Sequence, residues 1–123
     1  MPESRTVVVL GASDKPDRYS NRAVRLLLKH GYTVIPVHPT LATVEGLPVM
    51  PDLPAVSGVV DTLTVYVSPA IGETLLKDML ALDPRRVVFN PGSEVPALFP
   101  ALRSAGIEVV ENCTLVMLNL GAF

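Results

Sequence analysis

Five short runs of β-branched and apolar residues recur along the chain: Thr6 to Leu10, Thr33 to Val37, Thr62 to Val67, Arg86 to Phe89 and Ile107 to Val110. They are nearly continuous rather than alternating, which is how strands covered on both faces read. Helical spacing fills most of the gaps. Ala23, Val24, Leu27 and Leu28 fall on one side of a helix running to Lys29, with Ser20 as its expected N-cap and His30-Gly31 as its stop. Pro69 suits the first turn of a second helix, on which Ile71, Leu75, Leu76, Met79 and Leu80 recur at helical intervals. Pro96 and Pro100 predict a turn and then a compact helix from about Phe99 to Ala105. Between Pro39 and Asp61, Pro48, Pro51 and Pro54 leave room only for a short helical turn near Leu53 to Val56. The stretch from Cys113 to Phe123 reads as a short apolar helix whose Leu115, Val116, Leu118 and Leu120 cover the sheet or a partner subunit.

Strands alternating with helices predict an α/β fold with a parallel sheet and right-handed crossovers. The expected architecture is a doubly wound five-stranded parallel sheet of order 3-2-1-4-5, one domain over residues 1–123. In such sheets ligands sit beyond the carboxyl ends of the strands, where connections leave in opposite directions. Five segments converge there: Gly11-Ala12-Ser13, His38-Pro39, Ser68-Pro69, Asn90-Pro91-Gly92 and Asn112-Cys113. Gly11 admits close backbone approach, and the helix after it offers free N–H groups at the positive end of its dipole, so a phosphate is the natural occupant. The connecting loop exceeds a minimal turn by about seven residues and carries Lys15 and Arg18, either of which reaches a phosphate.

The loop does not match the common nucleotide motifs. No glycine follows Gly11 until Gly31, so the G-x-G-x-x-G fingerprint is absent. The acidic residue that holds a ribose after the second strand is replaced by Val37-His38-Pro39. The Walker phosphate loop is missing as well.

Composition narrows the class further. The chain has 123 residues, 49% of them hydrophobic, enough for a substantial core. A net charge of −2 and a pI near 5.6 give no footprint for nucleic acid or an anionic membrane surface. No stretch approaches the ~20 apolar residues of a membrane helix, so the mean hydropathy of +0.42 is attributed to a doubly covered sheet. The start of the chain is acidic and lacks a signal-peptide layout, and the single cysteine, Cys113, precludes an internal disulfide. A cytoplasmic protein is expected.

Catalytic and metal-binding constellations are not evident. His30 falls at a helix end and His38 at a strand end, neither beside a carboxylate nor at metal-ligand spacing. Glu94 and Glu111 lie near strand ends with no base to pair with. Cys113 is the one reactive candidate, either an inert buried thiol or one able to form a mixed disulfide with a thiol ligand.

Taken together, VVVLGASDKPDRYSN, GYTVIPVHP, EGLPV, VDTLTVYVSP, VVFNPGSE and GIEVVENC resemble the CoA-binding domain family over about residues 5 to 114. That family is a small Rossmann-like module, seen alone in bacteria and as the N-terminal domain of the succinyl-CoA synthetase alpha subunit. The resemblance implies that Gly11, Ala12 and Ser13 cradle the pyrophosphate of coenzyme A, with Arg18 pairing a phosphate. It implies that His38 and Pro39 flank the adenosine end and that Ser68 and Pro69 line the opposite wall. Asn90, Pro91 and Gly92 would then lie toward the pantetheine arm, with Cys113 as a candidate thiol contact. It also accounts for Pro36, placing it where the second strand ends. The expected role is a non-catalytic CoA or acyl-CoA binding module, alone, as a homodimer or with another protein partner. Two alternatives are a subunit of an acyl-CoA ligase completed by a partner chain and a dinucleotide-binding redox sensor. Synthetase activity does not carry over, because the phosphorylated histidine belongs to that subunit's second domain.

Overall fold

The computed structural model describes residues 5–123, so the acidic start lies outside the described residues. Strands β1 (Thr6–Leu10), β2 (Thr33–Val37), β5 (Thr62–Val65), β6 (Arg86–Phe89) and β7 (Glu108–Glu111) form one parallel sheet in the order β2-β1-β5-β6-β7. Helix α1 (Tyr19–Lys29) joins β1 to β2. Helices α2 (Pro69–Gly72), α3 (Leu76–Leu82) and α4 (Phe99–Ser104) lie on the connections that follow β5, and α5 (Thr114–Asn119) follows β7. Consecutive side chains on β1 enter different cores. Val8 and Leu10 pack with Leu63, Met79, Phe89 and Leu102, whereas Val7 and Val9 pack with Val24, Leu27 and Leu118. That alternation makes three layers of α1 and α5, the sheet, then α3 and α4.

The 3-2-1-4-5 order holds when the parallel bridge between Val37 and Met50 is counted as the third position, outside β2, with β7 as a sixth position beyond β6. The segment expected to be third, Thr62 to Val67, instead pairs with β1 on its other side and is the fourth member. It also ends at Val65, although the Tyr66 N–H still donates to the Leu10 carbonyl at 2.8 Å. The chain therefore reverses direction across the sheet between β2 and β5, and the switch point lies at the carboxyl end of β1.

Other expectations are corrected locally. Arg18, not Ser20, is the N-cap of α1, and it offers no side-chain bond to the helix amides. Leu28 is 37% exposed rather than inward. The single helix expected after Pro69 is two, α2 and α3, with Thr74 turned back onto the Ile71 carbonyl through both its N–H and its hydroxyl. The proline-rich stretch contains, besides the short turn at Leu53–Ala55, an antiparallel hairpin of β3 (Thr43–Val44) and β4 (Leu47–Pro48). Its turn residues Glu45 and Gly46 both have positive φ, at 50° and 77°, which matches the twist of a two-residue hairpin. Pro36 is the fourth of five residues in β2, not the last. Its carbonyl accepts the Met50 N–H at 3.0 Å, so the N–H it lacks falls on the outer margin rather than in the ladder with β1. The opposite margin, along β7, is bracketed by the exposed Glu108 and Glu111.

Candidate functional site

The carboxyl ends of β1, β2, β5 and β6 open onto three adjoining cavities. The first, of about 230 Å³, is largely apolar and includes Gly11, His38, Pro39, Leu53, Ile71 and Leu75. The second, of about 290 Å³, runs between the start of α1 (Arg18, Tyr19, Ser20) and the exits of β5 and β6 (Tyr66, Ser68, Asn90, Gly92). Val67 borders both the first and the second. The third, of about 400 Å³, shares Tyr19, Tyr66, Asn90 and Pro91 with the second and continues to Cys113, Leu115 and Val116.

Most of the expected site residues lie on this edge, but Ala12, Ser13 and Pro69 line none of the three cavities. Ala12 is 1% exposed and belongs to the core beneath α1. The amides expected to cradle a phosphate are partly committed already. Gly11 and Ala12 both donate to the Val37 carbonyl, at 3.0 and 3.1 Å. Gly11 is indispensable for a different reason: with φ at +85°, a Cβ there would lie 3.0 Å from the Val67 side chain and 3.1 Å from the Tyr66 backbone.

The free donors lie one step further along the chain. The N–H groups of Ser13, Tyr19, Ser20 and Asn21 have no acceptor among the described residues, and no side chain caps α1. Asn21, wholly buried, fixes this arrangement. Its side-chain amide donates to the Ser13 carbonyl at 2.9 Å and to Glu45 at 3.2 Å, while its oxygen accepts from Arg25 at 2.8 Å. Among the described residues, Arg18 is the only charged one lining the second cavity. An uncapped helix terminus with an adjacent guanidinium is a ready anion site, because the amides and the dipole act in the same sense.

Asn90 supports the site without a free polar group of its own. It is 2% exposed, donates to Thr64 at 2.7 Å and to the Val65 carbonyl at 2.9 Å, and accepts the Thr114 N–H at 2.8 Å. Ser93 bonds the Val65 and Asn90 carbonyls, and the Gly92 N–H is taken by Glu94 at 2.8 Å. Ser68 caps α2 with a 3.4 Å bond from the Ile71 N–H. His38 accepts at Nδ1 from the Thr40 and Leu41 N–H groups, both at 3.1 Å, leaving Nε2 as the ring's donor. Cys113 is partly exposed at the start of α5, and its own N–H is held by Asn112 at 2.7 Å.

Sequence reasoning passed over Tyr66 and Tyr19. The Tyr66 hydroxyl is buried with no hydrogen-bond partner among the described residues, and burial pushes its pKa well above the usual tyrosine range. Its place at the end of a strand, just ahead of Ser68-Pro69, was the available signal. Among the described residues no group of three or more His, Cys, Asp or Glu is placed to hold a metal, and no helix is long and apolar enough to cross a membrane.

These features coincide with similarities to one family and to three known proteins. The family described as "CoA binding domain" matches residues 5–119. The Bacillus subtilis protein YneT, described as uncharacterized, is 32% identical over 66 residues, 54% of this chain and 49% of that protein. The match thus spans about half the length of that curated relative. A crystal structure of an uncharacterized protein superposes with a TM-score of 0.91 at 38% identity, covering 99% of this chain and 100% of the other. A dinucleotide-forming acetyl-coenzyme A synthetase from Ca. Korarchaeum cryptofilum, in complex with phosphate and ADP, superposes with a TM-score of 0.74. At 23% identity, covering 87% of this chain and 25% of the other, it is a likeness of fold alone.

Proposed function

The chain belongs to the CoA binding domain family, and from that premise we propose that it binds coenzyme A or acyl-CoA along the carboxyl edge of its sheet, with no catalysis of its own. The observation that carries this reading is the sequence of three environments along that edge: a largely apolar cavity that Asp52 and Asp78 also line, a cleft with one cation and unpaired amides, and a second largely apolar cavity. Coenzyme A has the same order of parts, namely a flat heterocycle, a charged diphosphate and a thiol-bearing arm.

In this reading the adenine enters between Gly11, His38 and Pro39 on one side and Ile71 on the other. The diphosphate meets the start of α1 and Arg18, in place of the Gly11 and Ala12 amides, which Val37 already occupies. Ser13 contributes its amide at the margin of the loop that Asn21 anchors. The arm follows Ser68, Pro91 and Gly92 toward Cys113, and Asn90 holds that wall in shape. Pro69 acts only by starting α2. The absence of an acidic residue after β2 speaks against a dinucleotide with two free ribose hydroxyls. The fold likeness to a synthetase, of which this chain spans a quarter, favours a second reading in which a partner chain completes a ligase.

Calorimetric titration with CoA and with NADH tests the assignment. The expected result is that CoA binds the purified protein and NADH does not. Arg18→Ala weakens CoA binding by about tenfold, the worth of one charge-assisted bond of roughly 1.4 kcal/mol. No heat and no competition with millimolar CoA would remove the proposal, and a preference for NADH would replace it with the redox-sensor reading.

A further inference from the structure

The third cavity is larger than the end of a thiol arm requires, and its chemistry differs from that of the cleft it adjoins. Among the described residues, no charged one lines it. Besides Tyr66 and Asn90, which it shares with the cleft, it is lined by Tyr19, Pro91, Cys113, Leu115 and Val116, of which Tyr19 and Val116 are 65% and 48% exposed. Large apolar groups gathered at the mouth of a cavity, rather than scattered singly, mark a surface that an apolar ligand covers. Their placement follows from the fold. Tyr19 opens α1, and Leu115 and Val116 lie in the first turn of α5, whose start is pinned by the bond from the Thr114 N–H to Asn90. The pocket is therefore held by the same buried network that shapes the diphosphate cleft.

Resting on the CoA reading above, we propose that this cavity receives the hydrocarbon chain of an acyl thioester, so that the ligand class is a monocarboxylic acyl-CoA rather than free CoA. The chain lies between Tyr19 and the first turn of α5. A second carboxylate at its far end would enter a cavity lined by no cation, and an unpaired charge removed from water is costly. The pocket thus favours an unsubstituted hydrocarbon chain over an ω-carboxylated one. Cys113 serves only as part of the wall, and no bond to it is required.

Calorimetry comparing CoA, hexanoyl-CoA and succinyl-CoA decides the matter. Each fully covered methylene contributes roughly fourfold in affinity. Hexanoyl-CoA is therefore expected to bind at least about tenfold more tightly than CoA, and succinyl-CoA no more tightly than CoA. Val116→Asp, on an exposed helical position, brings the hexanoyl-CoA to CoA ratio close to one. Equal affinity of the wild-type protein for CoA and hexanoyl-CoA, or tighter binding of succinyl-CoA than of hexanoyl-CoA, would overturn the inference while leaving the CoA site standing. Failure of both CoA and hexanoyl-CoA to bind would instead remove the CoA reading itself.

Discussion

Replacing Gly11 with alanine tests whether β1 must end where it does. Two costs add at this position. An L-residue at a φ of +85° is strained, at roughly 1–2 kcal/mol. The added Cβ would also sit 3.0 Å from Val67 Cγ1, 3.1 Å from the Tyr66 carbonyl carbon and 3.2 Å from its oxygen. Two of those three atoms are backbone of the adjoining strand exit and do not swing aside, so overpacking adds roughly 1–3 kcal/mol. The expected loss is about 2–5 kcal/mol out of a total stability of about 5–15 kcal/mol. For a chain of this length each kcal/mol moves the melting temperature by about 4 °C, so Gly11→Ala should melt about 8–20 °C lower. Thermal and urea denaturation followed by circular dichroism measure it. Gly46→Ala is the internal control, because Gly46 has a φ of +77° with nothing within 4 Å of a new Cβ, and so isolates the backbone strain. A Gly11→Ala protein within about 1 kcal/mol of wild type, or no less stable than Gly46→Ala, would refute the close approach of β1 to the exit of β5.

Three further outcomes follow from other parts of the molecule. Ser13→Trp should reduce CoA affinity at least tenfold in calorimetry while leaving the circular dichroism spectrum unchanged; unaltered affinity would take that loop out of the site. Cys113→Ser should keep reversible CoA binding within about twofold, and a tenfold loss would give the thiol a direct role. Burial alone would raise the pKa of Asp61, but hydrogen bonds from Arg85 and Thr62 and the charges of Arg85 and Arg5 outweigh it and hold the carboxyl below its ordinary value. A depressed folded-state pKa stabilises the fold above the unfolded value, and that contribution is lost as pH falls through the folded one. Asp61→Asn should therefore be less stable than wild type at pH 7, with the difference shrinking below about pH 4 in urea titrations; a constant difference down to pH 2 would contradict the ion pair.

The strands were readable because runs such as VVVL and RVVF admit few other structures, and their polar exits marked the edge onto which the cavities open. The break between α2 and α3 was not, since Ile71, Leu75 and Met79 keep helical spacing straight across it. The hairpin at Glu45-Gly46 was hidden by prolines that argue against strands, although two residues between short apolar pairs was a usable cue. Ser20 was misread as a cap because its type fits, whereas chain geometry gives that place to Arg18. The fate of the Gly11 and Ala12 amides was beyond sequence altogether: it depends on one carbonyl, that of Val37, facing the loop across a strand pair. Likewise Asn90 was correctly placed at the edge, but its commitment to Thr64, Val65 and Thr114 joins residues more than twenty positions apart.

The two glutamates at the outer rim of β7 bear on how copies of this molecule behave in a crowded solution. The peptide groups along that rim are free to recruit another strand, the usual seed of fibrous polymers. An antiparallel union centred between Val109 and Val110 would set Glu108 of each copy directly against Glu111 of the other, so that carboxylates repel at both ends of the seam. The rim thus carries its own deterrent to sheet-by-sheet growth.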